Sequence, residues 1–133
     1  MISSEWLGAA DKALATAEFA YGIGDLRSAN SRAYYAAFYA ARVALSAIGE
    51  HERSLGKTHS GLRAAFAELL VKPGHLPKEL SRLFAILSDQ RLAADYQGDF
   101  GEEGDARMSL DQARAFVAAV RAWVETRHSV AQV

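Results

Sequence analysis

Proline interrupts this chain in one place only. Pro73 and Pro77 bracket a single short loop, and the stretches on either side carry no residue that must break a helix. Alanine is frequent, β-branched runs are absent, and apolar residues recur every third or fourth position, the period of a helix buried along one side. Leu7, Ala10, Leu14, Ala17 and Tyr21 set that rhythm in a first helix, with Ser3 and Ser4 as cap candidates and Gly22 and Gly24 at its end. A second helix runs from Asp25 through Tyr34, Phe38, Ala41, Leu45 and Ile48 to Gly49. Leu62, Phe66, Leu69 and Leu70 predict a third that stops before Pro73. Pro77 is placed to open a fourth, with Leu80, Leu83, Phe84 and Leu87 as its buried stripe.

Gly98, Gly101 and Gly104 mark an acidic loop, after which Ser109 and Gln112 have the spacing of a capping box for a fifth helix. Ala113, Phe116, Val117, Val120, Trp123 and Val124 give that helix its apolar face. Five helices joined by short loops imply an all-α, antiparallel up-and-down bundle occupying residues 1–133 as one domain, because short connections force neighbours to run in opposite directions.

The bulk properties mostly exclude. No apolar run is long enough to span a bilayer, and the N-terminus has no basic region followed by an apolar block, so a cytoplasmic protein without a membrane segment is expected. Cysteine is absent, which removes disulfides, thiol catalysis and thiolate zinc sites. The histidines have no metal-ligand spacing, and neither a metal nor another cofactor is expected. The net charge of −1 hides an uneven distribution. Arg27, Arg32, Arg42, Arg53, Lys57 and Arg63 outnumber Glu50 and Glu52 between residues 26 and 63, whereas acids dominate from Asp89 to Asp111.

The stretch GKTHSG (Gly56–Gly61) has the order of a P-loop ending, but His51 stands where the first glycine belongs and a helix precedes it instead of a strand. What remains is a helix start: Thr58 or Ser60 can cap it, leaving backbone N–H groups beside Lys57 and His59 as an anion-binding candidate. DYQGDFGEEGD fits no calcium-loop register. On the second helix, Ala33, Ala37, Ala40 and Ala44 make a ridge of small side chains that admits a close neighbour. Another face carries Arg32, Tyr35, Tyr39 and Arg42 at steps of three and four, two phenols between two guanidiniums, suited to stacking bases and pairing phosphates or to a subunit interface. In the fourth helix, steps of four, three and four from Leu80 reach Arg91, so a permanent charge continues an apolar stripe; Asp95 can pair with it and Tyr96 pack beside it.

NSRAYYAAFYAARVAL, GKTHSGL, LPKEL and RLAADY, in that order, resemble the HEPN (higher eukaryote and prokaryote nucleotide-binding) domain, in its small prokaryotic branch encoded beside minimal nucleotidyltransferases, over roughly residues 4 to 125. The resemblance implies a dimerising helical bundle, often one half of a toxin–antitoxin pair with a minimal nucleotidyltransferase as partner, acting on nucleotide or RNA. Many members are metal-independent ribonucleases with an arginine followed four to six residues later by histidine. This chain departs there: Asp95 and Tyr96 occupy the histidine's place after Arg91. Arg53 and His59 match by count but fall outside the fourth helix. Three readings follow: a nucleotide- or RNA-binding module using Arg91, Asp95 and Tyr96, with Tyr96 a candidate AMP acceptor; a ribonuclease in which His59 joins Arg91 from elsewhere in the dimer; and a non-catalytic protein-binding scaffold.

Overall fold

In α1 (Ile2–Gly22) and α2 (Leu26–Ala47), alanines face one another: Ala10, Ala13 and Ala17 and the ridge Ala33, Ala37, Ala40 and Ala44 are all buried in the same core. Methyl-sized side chains let two helices approach closely, and α1–α2 is the most extensive packing in the fold. The computed structural model describes residues 2–56, 58–97 and 103–131, with side chains for 5–56, 58–96 and 104–127. Among them six α-helices and no strand occur. After α2 come the short α3 (His51–Ser54), α4 (His59–Phe66) continued by a π-helical turn (Ala67–Val71), α5 (Lys78–Gln97) and α6 (Glu103–Ala131). α2 is the hub and packs against every one of the others.

The ends of α2 follow from its sequence. Asp25 caps it by accepting from Ser28 N at 3.1 Å, and the helix stops ahead of Gly49, whose φ of +84° a side chain would resist. The third expected helix is the α4–π unit. Lys72 N donates to Ala67 O at 2.9 Å, a five-residue step that marks the π turn, and Pro73 then ends it. Leu80 N donates to Pro77 O at 3.0 Å, so Pro77 stands one residue ahead of α5.

Two expectations at helix starts fail. α1 already runs through Ser3 and Ser4, so neither occupies a cap position. α6 begins at Glu103, six residues before Ser109, so no capping box lies there. Ser109 is buried mid-helix and donates to Asn30 Oδ1 at 2.7 Å, tying α6 to α2, while Gln112 Oε1 is buried without a partner. Gly98 and Gly101 of the acidic loop lie outside the described residues.

The core gathers Tyr34, Phe38 and Leu45 from α2, Leu62 and Phe66 from α4, Leu80, Phe84 and Leu87 from α5, and Phe116, Val117 and Val120 from α6. Phe66, Phe84 and Phe116 meet with ring centroids 5.3 to 5.8 Å apart. On the surface Arg121 chelates Asp11 at 2.6 and 2.7 Å and Arg114 pairs with Glu18, both joining α6 to α1. No helix of the described residues is long and apolar enough to cross a membrane.

Candidate functional site

The start of α4 sets one side chain against α2. Thr58 is its N-cap, its Oγ1 accepting from Gly61 N at 3.0 Å. A Cβ on Gly61 would lie 2.5 Å from that oxygen, so only glycine leaves the cap intact. His59, the first helical residue, is thereby turned onto an aromatic wall: its ring lies 5.5 Å from Tyr34, 4.8 Å from Phe38 and 5.7 Å from Tyr35. Tyr34, fully buried, brings its hydroxyl to 2.8 Å from His59 Nδ1. A hydroxyl both donates and accepts, so the contact fixes the ring's orientation and leaves either tautomer open.

Guanidinium groups from three helices surround this pair. Arg91 of α5 sits 5.0 Å from the Tyr34 ring centroid and 6.0 Å from that of Tyr35. Arg42 of α2 lies between Phe38 and Trp6, 4.7 and 4.6 Å from their centroids. Arg63 stands one turn after His59 on α4, on the same face. Each of the three keeps a buried Nε without a hydrogen-bond partner. Arg42 and Arg63 have no carboxylate within 4.0 Å among the described residues, and Arg91 has only Asp95, at 3.5 Å.

Burial and these charges act on the titratable groups of the cluster. Burial, then the charges of Arg91, Arg42 and Arg63, hold His59 below the ordinary histidine pKa, so it is neutral at pH 7. Burial pushes the Tyr34 hydroxyl up to about 12, against the pull of Arg91 and Arg63, so it stays protonated. Burial also lowers Arg42, with the nearby Tyr39 opposing it. A neutral imidazole beside three guanidiniums, two of them without a carboxylate and the third sharing Asp95, is a positive field that an anion fits.

The sequence-derived residues divide. The Arg32 guanidinium lies 4.6 Å over Tyr35, and Tyr35 and Tyr39 follow at 6.0 Å. Arg42 does not close that stack: Trp6 of α1 stacks on Tyr39 at 5.5 Å, and the Arg42 guanidinium lies over Trp6 and Phe38. Arg91 is 19% exposed and pairs with Asp95 as expected, but Asp95 is shared with Arg27 at 3.4 Å. Tyr96 is 90% exposed and does not pack beside Arg91, because one further residue around the helix carries it to the solvent side. Lys57 lies outside the described residues. Arg53 pairs with Glu68 at 3.9 Å.

Arg63, Trp6 and the hydroxyl of Tyr34 belong to the cluster and were not singled out from sequence. The spacing of four between His59 and Arg63 was the available signal. His51 is taken up by Ser46 at 3.0 Å and His75 packs on Trp123. Among the described residues no group of acids and histidines could hold a metal ion. Among the described residues the surface includes two grooves. One of about 410 Å³ beside Leu83 and Met108 contains none of the cluster. The other, about 280 Å³ between α4 and α5, is lined by Arg63.

The HEPN domain profile matches residues 3–123. A UPF0332 protein of Thermotoga maritima is 35% identical over 102 residues, covering 75% of this chain and 74% of that one. A second UPF0332 protein, from Gloeobacter violaceus, is 34% identical over 89 residues, 65% of this chain and 68% of its own length. With the helical bundle and the motifs of α2, α4 and α5, these matches make the chain a member of the HEPN domain family, in its UPF0332 group.

Proposed function

We propose that this HEPN protein binds a phosphate of a nucleotide or RNA strand at the His59 cluster, as a homodimer and as the partner of a minimal nucleotidyltransferase in a toxin–antitoxin-type pair. The observation that carries the reading is the convergence of Arg42, Arg63 and Arg91, each with a buried unpartnered Nε, on one neutral histidine. A buried N–H without an acceptor is costly, and a phosphate offsets that cost by accepting paired N–H···O bonds from a guanidinium. Arg32, lying over Tyr35 beside the cluster, adds a further charge for a phosphate strand. The nucleotidyltransferase partner rests on the motif resemblance. A dimer contact along the end of α5 would cover the exposed Leu92 and Tyr96 and enclose Arg91.

Titration of AMP and of a short single-stranded RNA into wild type and Arg63→Ala tests this. Binding that weakens with salt and drops at least about tenfold in the variant is expected; equal affinity for both proteins, or no binding, ends the reading.

One observation favours a second reading, metal-independent RNA cleavage. Neutral His59 is within the field of Arg91 in the same protomer, the pairing of a proton acceptor with a group that steadies phosphorane charge. In the tautomer that donates Nδ1–H to Tyr34, Nε2 is the acceptor for a ribose 2′-hydroxyl proton. RNA incubated in EDTA with wild type and His59→Ala decides it: equal, background cleavage by both removes this reading and leaves the binding one standing.

A further inference from the structure

We infer that the groove between α4 and α5 is a nucleobase slot continuous with the phosphate site, so that the preferred ligand is a nucleoside monophosphate or a strand end rather than a phosphate alone. This rests on the phosphate reading given above. The groove has a volume of about 280 Å³ and is lined by Ser60, Arg63, Ala64 and Ala67 on one side and Ser81, Phe84 and Ala85 on the other. That size is below the range of sites for larger organic ligands and suits one base with part of its sugar.

Its composition fits a flat heterocycle. Alanines stand on both flanks, so the walls are methyl groups with a gap between them, and the buried ring of Phe84 closes the floor. Longer side chains at Ala64, Ala67 or Ala85 would fill the space. Ser60 and Ser81 line the groove from different helices, and neither hydroxyl is hydrogen-bonded among the described residues. Hydroxyls that donate and accept match the mixed edge of a base. The π turn beginning at Ala67 widens the backbone at the far end.

Arg63 joins the two halves. It lines the groove, its Nε is buried and unpartnered, and its charge acts on both His59 and Tyr34. A phosphate held by Arg63 would therefore have the groove's apolar walls next to it for the attached nucleoside. The 410 Å³ groove offers no such link, since its arginine, Arg107, is already paired with Asp111 at 3.2 Å.

Calorimetric titration with inorganic phosphate, ribose 5-phosphate and AMP separates the claims, using wild type and Ala85→Leu, with a thermal melt confirming that the variant folds. The expected result is AMP about tenfold tighter than ribose 5-phosphate in wild type. Ala85→Leu should remove that advantage and leave ribose 5-phosphate unchanged. Equal binding of AMP and ribose 5-phosphate by wild type overturns the slot but not the phosphate site, and so does a variant that weakens both equally. Failure of all three ligands to bind overturns the phosphate reading and the slot with it.

Discussion

Replacing Arg91 by methionine separates a residue kept for function from one kept for the fold. The substitution retains an unbranched stem of similar length and deletes the charge. What is lost is small. The pair with Asp95 is an i,i+4 contact at 3.5 Å in the weaker orientation, with a carboxylate 37% exposed, worth at most about 0.5 kcal/mol. The guanidinium over Tyr34, 5.0 Å from the centroid, adds about 1 kcal/mol. Asp95 is not stranded, because Arg27 remains 3.4 Å away. What is gained is larger. Removing a buried, unpartnered Nε relieves about 1 to 3 kcal/mol, and a thioether beside the Tyr34 ring returns up to about 1 kcal/mol. The sum runs from about 0.5 kcal/mol less stable to about 2.5 kcal/mol more stable, centred on a gain that is read as a higher urea midpoint at constant slope. Two further readouts accompany it: the pKa of His59 by NMR should rise, since Arg91 is the first of the charges depressing it, and AMP binding should fall. A variant less stable by 1 kcal/mol or more would refute the reasoning and make Arg91 a structural element of α5.

Stability should also depend on His59 through pH. The folded state binds the His59 proton less readily than the unfolded chain, so the contribution is fully present above the unfolded value near 6.5 and is lost as pH falls through the depressed folded value; urea midpoints from pH 8 to 5 in phosphate-free buffer should fall more steeply for wild type than for His59→Gln, and parallel curves contradict the prediction. At the α4 start, Thr58→Ala should cost about 1 kcal/mol, and Gly61→Ala should cost a similar amount by evicting the Thr58 hydroxyl. Because both remove one cap, the double variant should lose less than the sum; strict additivity by chemical denaturation argues against the capping account. Ser109→Ala should lower stability by about 1 to 3 kcal/mol by leaving buried Asn30 Oδ1 unsatisfied, whereas Tyr96→Phe on the surface should stay within about 0.5 kcal/mol, both measured by thermal melts.

The bundle was readable because its signals are local. Asp25 and Gly49 bound α2 by cap chemistry and backbone freedom, Pro77 opens α5, and the alanine ridge announces its close neighbour without naming it. The errors arose where a local motif had a distant partner. Ser109 and Gln112 have capping-box spacing, yet the Ser109 hydroxyl serves Asn30, 79 residues away, and α6 starts a turn and a half earlier in a stretch whose acids suit a helix N-terminus. Helical periodicity cannot distinguish a serine that ends a helix from one that crosses to another.

The site was legible only where it broke the pattern. Arg91 was visible because a charge on an apolar stripe violates the period, and the Arg32–Tyr39 face because aromatic and basic residues alternate on one helix. Tyr34 obeys the same period and reads as core, which its ring is; its hydroxyl, 2.8 Å from His59, decides the chemistry and has no periodic signature. His59 and Arg63 occupy a helix start, where polar residues are ordinary. Four helices supply the cluster: Trp6 from α1, Tyr34, Tyr35 and Arg42 from α2, His59 and Arg63 from α4, and Arg91 from α5. Apart from Arg91, each of these residues has an unremarkable local explanation, and only their convergence makes a carboxylate-poor pocket around a neutral imidazole. A polar site assembled from residues that are individually reasonable is therefore recognised by what it lacks, the counter-charges that a purely structural cluster would have brought with it.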